Sequence, residues 1–232
     1  MATGREAQLS LAVNLRDGFD FDGYWDGGNE AAVAAVRALE PGSCYLWGEA
    51  GSGKSHLLQA ACGEATRQGL RPVYLSLAQA GLAPENLAGF DGLDLVALDD
   101  LDAVAGDEAW EQALFHLYNR LHDAGARQLL AATVSPTALP LRLPDLKSRC
   151  GWGLVFRLQR LDETGLRQAL RHRAARRGLE LPDEVLDYLL RRLPREPALL
   201  FALLDRLDHA SLAAQRRLTI PFIRTRLSRL LP

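Results

Sequence analysis

The 232-residue chain predicts an α/β fold in which a parallel five-stranded sheet lies between helices (αβα), followed by a small all-helical domain. Three observations lead there. Short apolar runs without polar alternation recur between helical stretches, the pattern of strands buried on both faces of a parallel sheet. Past Asp162 the pattern is helical throughout, with apolar residues at three- and four-residue spacing. The charge divides at nearly the same place. Residues 1–156 hold 11 Lys/Arg against 20 Asp/Glu, and residues 157–232 hold 16 Arg against 9 Asp/Glu. Two modules of opposite sign follow, and the basic one suits either an acidic partner or a solvated helical surface.

The elements come in order. Residues 1–15 carry no long periodic pattern and read as a tail. Residues 16–159 form the α/β unit and 160–232 the helical one. An aromatic and acidic turn-rich stretch (Gly18 to Trp25) precedes an alanine-rich helix over 29–39, stopped by Pro41-Gly42. Strands are expected over 44–47, 72–77, 93–98, 129–134 and 154–158. The clearest helices between them span 55–67 and 108–123. The second unit should hold helices over 164–177, 182–192, 197–214 and 220–231. Pro182 and Pro221 suit first-turn positions, where a missing N–H costs nothing.

Composition excludes several classes. At 48% apolar and 24% charged residues, the chain has enough apolar side chain for a packed core and is no disordered tail. No apolar run approaches the roughly 20 residues of a membrane span. The first residues lack a basic-then-apolar signal pattern, so a cytoplasmic location is expected. Three cysteines (Cys44, Cys62, Cys150) form no CxxC spacing, which speaks against a disulfide framework and against zinc. Only two of 27 cations are lysines, Lys54 and Lys147. In so arginine-rich a chain, a lysine hints at a site that needs a compact ammonium.

Lys54 stands in the strongest motif, Gly48-Glu49-Ala50-Gly51-Ser52-Gly53-Lys54-Ser55 with His56 following. It fits G-x-x-x-x-G-K-[ST] between an apolar strand and a helix, the context that such a phosphate loop requires. Its glycines let the backbone curl until several N–H groups face one phosphate, and the helix N-terminus adds a positive end. Lys54 reaches the terminal phosphates, and the Ser55 hydroxyl is a ligand for Mg2+. The second anchor is Leu95-Val96-Ala97-Leu98-Asp99-Asp100, an apolar strand tipped by two carboxylates, the form of a Walker B segment. Asp99 is expected to hold Mg2+ and Asp100 to polarise an attacking water. Asp102 reads as a solvent-facing loop carboxylate.

With these segments the chain resembles the AAA+ ATPases, and within them the DnaA-related branch and its short regulatory Hda family. The likeness covers most of the chain. Phe21-Asp22-Gly23-Tyr24 and Asn29 are similar to the family's adenine-side segment. Leu143-Pro144-Asp145-Leu146-Lys147-Ser148-Arg149, followed by Gly151-Trp152-Gly153, is similar to the stretch that ends in its arginine finger. The resemblance implies that Arg149 acts on a neighbour's nucleotide; the plainer reading pairs it locally with Asp145. Thr133-Val134-Ser135 occupies the sensor 1 position, unassigned to one residue. Leu218-Thr219-Ile220-Pro221-Phe222 also looks like the Hda family. The lid arginine called sensor 2 falls at Ala198, with Arg195 nearby but turned by about 60°.

Two features favour the short branch. The chain is expected to end with the lid, without a helix-turn-helix domain. Near its start, Gln8-Leu9-Ser10-Leu11-Ala12-Val13 is similar to the peptide that docks on the replicative sliding clamp. Such a peptide binds extended, with Gln8 at the rim and Leu9 and Leu11 in apolar pockets. Ala12 stands where a proline or bulky apolar residue is common. The resemblance then implies a regulatory adaptor that carries ADP or ATP, sits on the β sliding clamp of DNA polymerase III, and stimulates ATP hydrolysis by the initiator DnaA. DNA would be reached through the clamp, and the chain would act as a homodimer or higher oligomer with weak turnover of its own. Two alternatives stay open: a self-sufficient ATPase of the helicase-loader type, and a nucleotide-gated DNA-binding protein using the basic lid.

Overall fold

The computed structural model describes residues 18–214 and 217–230. Residues 8–13, the expected clamp-docking segment, therefore lie outside the described residues. Five strands, β1 (Gly42–Trp47), β2 (Pro72–Ser76), β3 (Leu95–Asp99), β4 (Arg127–Ala132) and β5 (Leu154–Arg157), form one sheet in the order β2-β3-β4-β1-β5. All four pairings are parallel. The helices are α1 (Glu30–Arg37), α2 (Lys54–Arg67), α3 (Glu108–Asp123) and α4 (Pro144–Cys150), then α5 (Glu163–Arg176), α6 (Asp183–Arg192), α7 (Pro197–Ala214) and α8 (Ile220–Leu230).

Alternation along the strands fills two cores. Cys44 and Leu46 of β1, with Leu95 and Ala97 of β3, pack under α1 and α2 against Val36, Leu57 and Leu58. Tyr45, Val96 and Leu98 point the other way, onto Trp110, Leu114 and Leu117 of α3 and Leu146 of α4. Both faces being covered, the strands need no polar side, which is why they read as unbroken apolar runs. The last four helices close on a third core that includes Leu170, Leu186, Leu189, Leu204, Leu207 and Ile223. The three cysteines are free and buried. Among the described residues, no helix is long and apolar enough to cross a membrane.

Several boundaries differ from expectation. β3 begins at Leu95, two residues later than expected; Asp94 before it is tied at both backbone and side chain, its N–H donating to the Arg71 carbonyl at 2.9 Å and its carboxylate accepting the Arg71 N–H at 2.8 Å. β4 runs from Arg127 to Ala132 and stops where the Thr133 N–H turns to Asp102. Pro182 is the residue before α6, with ψ 150°, so the helix starts at Asp183. Helix α4 has no sequence counterpart among the expected elements. Seven residues are too few to display a 3.6-residue period.

Candidate nucleotide-binding site

The site is built at the carboxyl ends of the strands, where a parallel sheet leaves a crevice. The chain leaves β1 at Trp47 and turns through Gly48, where a β-carbon would stand 2.4 Å from the Leu158 carbonyl oxygen. At Gly53 φ is +96°, and a β-carbon would meet the Tyr24 ring at 2.7 Å. Glycine is required at both, and Lys54 then opens α2. Lys54 is 7% exposed. Its Nζ donates to the carbonyls of Gly48 (2.6 Å) and Glu49 (3.0 Å). Burial pushes this ammonium below its ordinary value, against the pull of Asp99, Asp102 and Asp100.

Asp99 is fully buried beneath the loop. It accepts hydrogen bonds from the Tyr74 hydroxyl at 2.9 Å and the Asp100 N–H at 3.0 Å, and also from the Ser55 hydroxyl. Burial pushes its carboxyl up, and its hydrogen bonds only partly offset that. Asp100 has φ +59° and is the one non-glycine with positive φ among the described residues. A short polar side chain tolerates that region. Its Oδ2 accepts from the Ser76 hydroxyl at 2.6 Å.

Residues 50–56, Asp100 and Thr133 line one cleft of about 280 Å³. Its apolar wall comes from Phe19, Tyr24 and Trp25 on one side and from Leu161, Ala169, Pro197, Ala198 and Phe201 of the helical unit on the other. His56 sits within this wall. Phe19 stacks on it at 4.6 Å, Tyr24 meets it edge-on at 5.2 Å, and its Nε2–H donates to the Asp20 carbonyl at 2.8 Å. Burial pushes the imidazole down to about 4, so it is neutral at pH 7. Residues 18–25 are also strapped to α5. The Asp20 carboxylate takes both Arg176 guanidinium nitrogens (2.8 and 2.9 Å), which holds its pKa below the usual range. The His172 Nε2–H donates to the Asp22 carbonyl at 2.6 Å.

Not every expected residue joins the cleft. Gly48 and Glu49 line a neighbouring cleft with Thr133. Asp99 lies below the surface, and Phe21 is buried in the core instead of facing the base side. Within 133–135 only Thr133 lines the cleft. Its N–H and hydroxyl both bind Asp102 (3.1 and 2.7 Å), so that carboxylate is a structural partner and not a free loop charge. Ala198 is in the lining, whereas Arg195 pairs with Glu163 at 2.6 Å and is absent from it.

Arg149 lies elsewhere, on α4. Its guanidinium stacks on the Trp152 ring at 3.6 Å from the centroid, and Trp152 is 59% exposed. Its Nη1 is buried with no hydrogen-bond partner, and it forms no ion pair among the described residues, Asp145 included. Sequence reasoning missed what holds α4. Glu111 of α3 is buried and accepts the N–H groups of Gly106 (2.7 Å), Arg142 (2.9 Å) and Leu143 (2.7 Å), the last being the residue that enters α4. Burial pushes the Glu111 carboxyl up, but these three backbone bonds pull it further, below the usual range.

A glycine-turned phosphate loop beside a carboxylate-tipped strand, covered by a helical lid, places the chain in the AAA+ class of P-loop proteins. Residues 162–227 match the family model for the Hda lid domain, and residues 87–157 match that for the bacterial DnaA ATPase domain. Together the two matches are consistent with an Hda/DnaA-related AAA+ protein. Among solved structures the chain is similar to a replication initiator DnaA bound to AMPPCP and single-stranded DNA. That likeness has 26% identity and a TM-score of 0.68, over 84% of this chain and 66% of that one. It therefore spans just under two thirds of that initiator. It is also similar to AMPPCP-bound DnaA from Aquifex aeolicus, at 27% identity and TM-score 0.65, over 85% and 67% of the two chains. Domain III of Thermotoga maritima DnaA shares the fold at 22% identity and TM-score 0.74, over 94% and 99%.

Proposed function

We propose that this chain is a regulatory adaptor of bacterial replication initiation, which binds adenine nucleotide, docks on the β sliding clamp of DNA polymerase III and stimulates ATP hydrolysis by DnaA. The observation that carries the reading is the match of residues 162–227 to the Hda lid family, on a body with an intact phosphate loop. Two DnaA structures similar to this chain hold AMPPCP, which supports an adenine nucleotide in the cleft.

The chain's own residues suit that ligand. N–H groups of the loop and the first turn of α2 face a phosphate, and the buried Ser52 hydroxyl has no partner until one arrives. Lys54 exchanges its loop carbonyls for phosphate oxygens. The apolar wall of Phe19, Tyr24 and Trp25 accepts a base. Ser55 and Asp99 offer the hard oxygens that Mg2+ prefers. Mg2+ held there would neutralise phosphate charge. Asp100 orients water. Arg149 works outward, offering its planar fork to a nucleotide held by a neighbouring subunit. Residues 8–13 supply the clamp contact and so raise the local concentration of this body near DNA.

The nucleotide-gated DNA-binding alternative loses ground to the lid's own ion pairs. Arg167, Arg171, Arg173, Arg176, Arg177 and Arg195 are all engaged with carboxylates. The test is ATP hydrolysis by DnaA on clamp-loaded DNA. The parent chain should accelerate it, and Leu9→Ala/Leu11→Ala should abolish both acceleration and clamp binding without lowering the melting temperature. Acceleration that needs no clamp, or survives the double substitution, sinks the reading.

A further inference from the structure

Beside the phosphate loop lies a second cleft, of about 310 Å³, which shares Thr133 with the first and is lined also by Trp47, Glu49, Arg157 and Arg160. Its two arginines have no part in the mechanism above. Arg157 lies over the Trp47 ring at 5.2 Å. Arg160, in the connection from β5 to α5, hangs over the loop itself. Its Nε is 3.9 Å from where a β-carbon at Gly51 would stand, and its Nη1 is 3.7 Å from the Glu49 carboxylate.

Charge explains why that position matters. A bound nucleoside triphosphate brings about four negative charges into the loop, and in the first cleft Lys54 is the one cationic side chain among the lining residues. The lid face above Gly51 offers Pro197, whose Cδ is 3.4 Å from the same β-carbon position, and Ala198 beside it. Neither carries charge. The Arg160–Glu49 contact is too long for a hydrogen bond, and both side chains are largely solvated, at 44% and 74% exposure. Such a pair contributes little to stability, and a phosphate oxygen is the stronger acceptor for a guanidinium.

We propose that Arg160 binds the terminal phosphate of a nucleoside triphosphate seated in the loop, with Glu49 holding it over the loop until that phosphate arrives. The proposal rests on the nucleotide reading above and adds the cation that tells tri- from diphosphate. It is read by calorimetric titration of the full chain, with Mg2+, using ADP and the non-hydrolysable triphosphate AMPPCP. Arg160→Ala should weaken AMPPCP at least tenfold and ADP less than threefold, with no change in melting temperature. Arg160→Lys should recover only part of the loss, because one ammonium cannot span two oxygens. Glu49→Gln, which frees the guanidinium, should keep or raise AMPPCP affinity. An Arg160→Ala variant that binds both nucleotides like the parent, or loses both equally, overturns the proposal, as does a Glu49→Gln variant that loses AMPPCP like Arg160→Ala. The parent chain and Lys54→Ala separate the two ideas. If the parent chain binds neither nucleotide, the nucleotide reading itself is wrong; if Lys54→Ala binds both like the parent, Lys54 is a structural residue and the phosphates do not sit on it.

Discussion

Lys54 and Arg149 are the two cations on which the proposed function turns, and the fold treats them oppositely. Lys54 is buried, and its ammonium is satisfied by two carbonyls of its own loop. Arg149 is partly buried on a seven-residue helix, stacked against an exposed tryptophan, with one buried nitrogen unpartnered. A cation solvated by its own backbone acts on a ligand drawn into the same chain. A guanidinium stacked on a ring and left without an anion is, in the proposed function, the one that meets a neighbour's nucleotide. The proposed function gives binding to one region and action on a neighbour to the other, and the contrast in burial is where that division can be tested. Four substitutions or conditions probe that division.

The largest effect is expected at Arg149. Arg149→Ala should cut clamp-dependent stimulation of DnaA's ATP hydrolysis by about 10³-fold or more, while ADP affinity and melting temperature stay at the parent's values. Radiolabelled ATP hydrolysis checks it, and full stimulation by the variant would erase the inward–outward distinction. Glu111 comes next, because it fixes the entry to α4. Glu111→Ala strands three backbone N–H groups and should cost about 3 kcal/mol in urea unfolding. The folded pKa of Glu111 lies below its unfolded value of about 4.3. Its contribution is therefore present above that pH and fades as pH falls through the folded value.

On the cleft side, His56 predicts a pH dependence. The unfolded imidazole takes a proton near pH 6.5, while the folded one resists until about 4. Between those values the unfolded state binds more protons, so stability falls as pH falls. Going from pH 7 to pH 5 should remove about 2 kcal/mol through this group. His56→Gln should lack that component, whatever its stability at pH 7; denaturant curves at both pH values measure the difference. Lys54→Ala is the smallest expected change. It should weaken ADP binding at least tenfold, or about 1.4 kcal/mol, with DnaA stimulation limited only through nucleotide occupancy. Equal ADP affinity for variant and parent would leave the buried lysine a structural residue.

What the amino-acid sequence determined by itself is whatever depends on contiguous residues. The phosphate loop is legible because a backbone that curls around one phosphate needs glycine at fixed spacing and lysine at the helix start. Asp99 and Asp100 are legible because an apolar strand carries them to its tip. The five strands and the long helices show through their periodicity, and the lid through its change of pattern at Asp162. Tertiary structure alone decided the rest, since its partners are far apart in the chain. Glu111 meets amides 31 and 32 residues away, Asp102 meets Thr133, and Asp20 meets Arg176 across 156 residues. None of these pairings has a spacing rule, because each is set by how helices pack on the sheet. The same holds for Arg160. Only the return of the chain from β5 over the loop brings that guanidinium to Gly51 and Glu49, more than a hundred residues from the motif it faces.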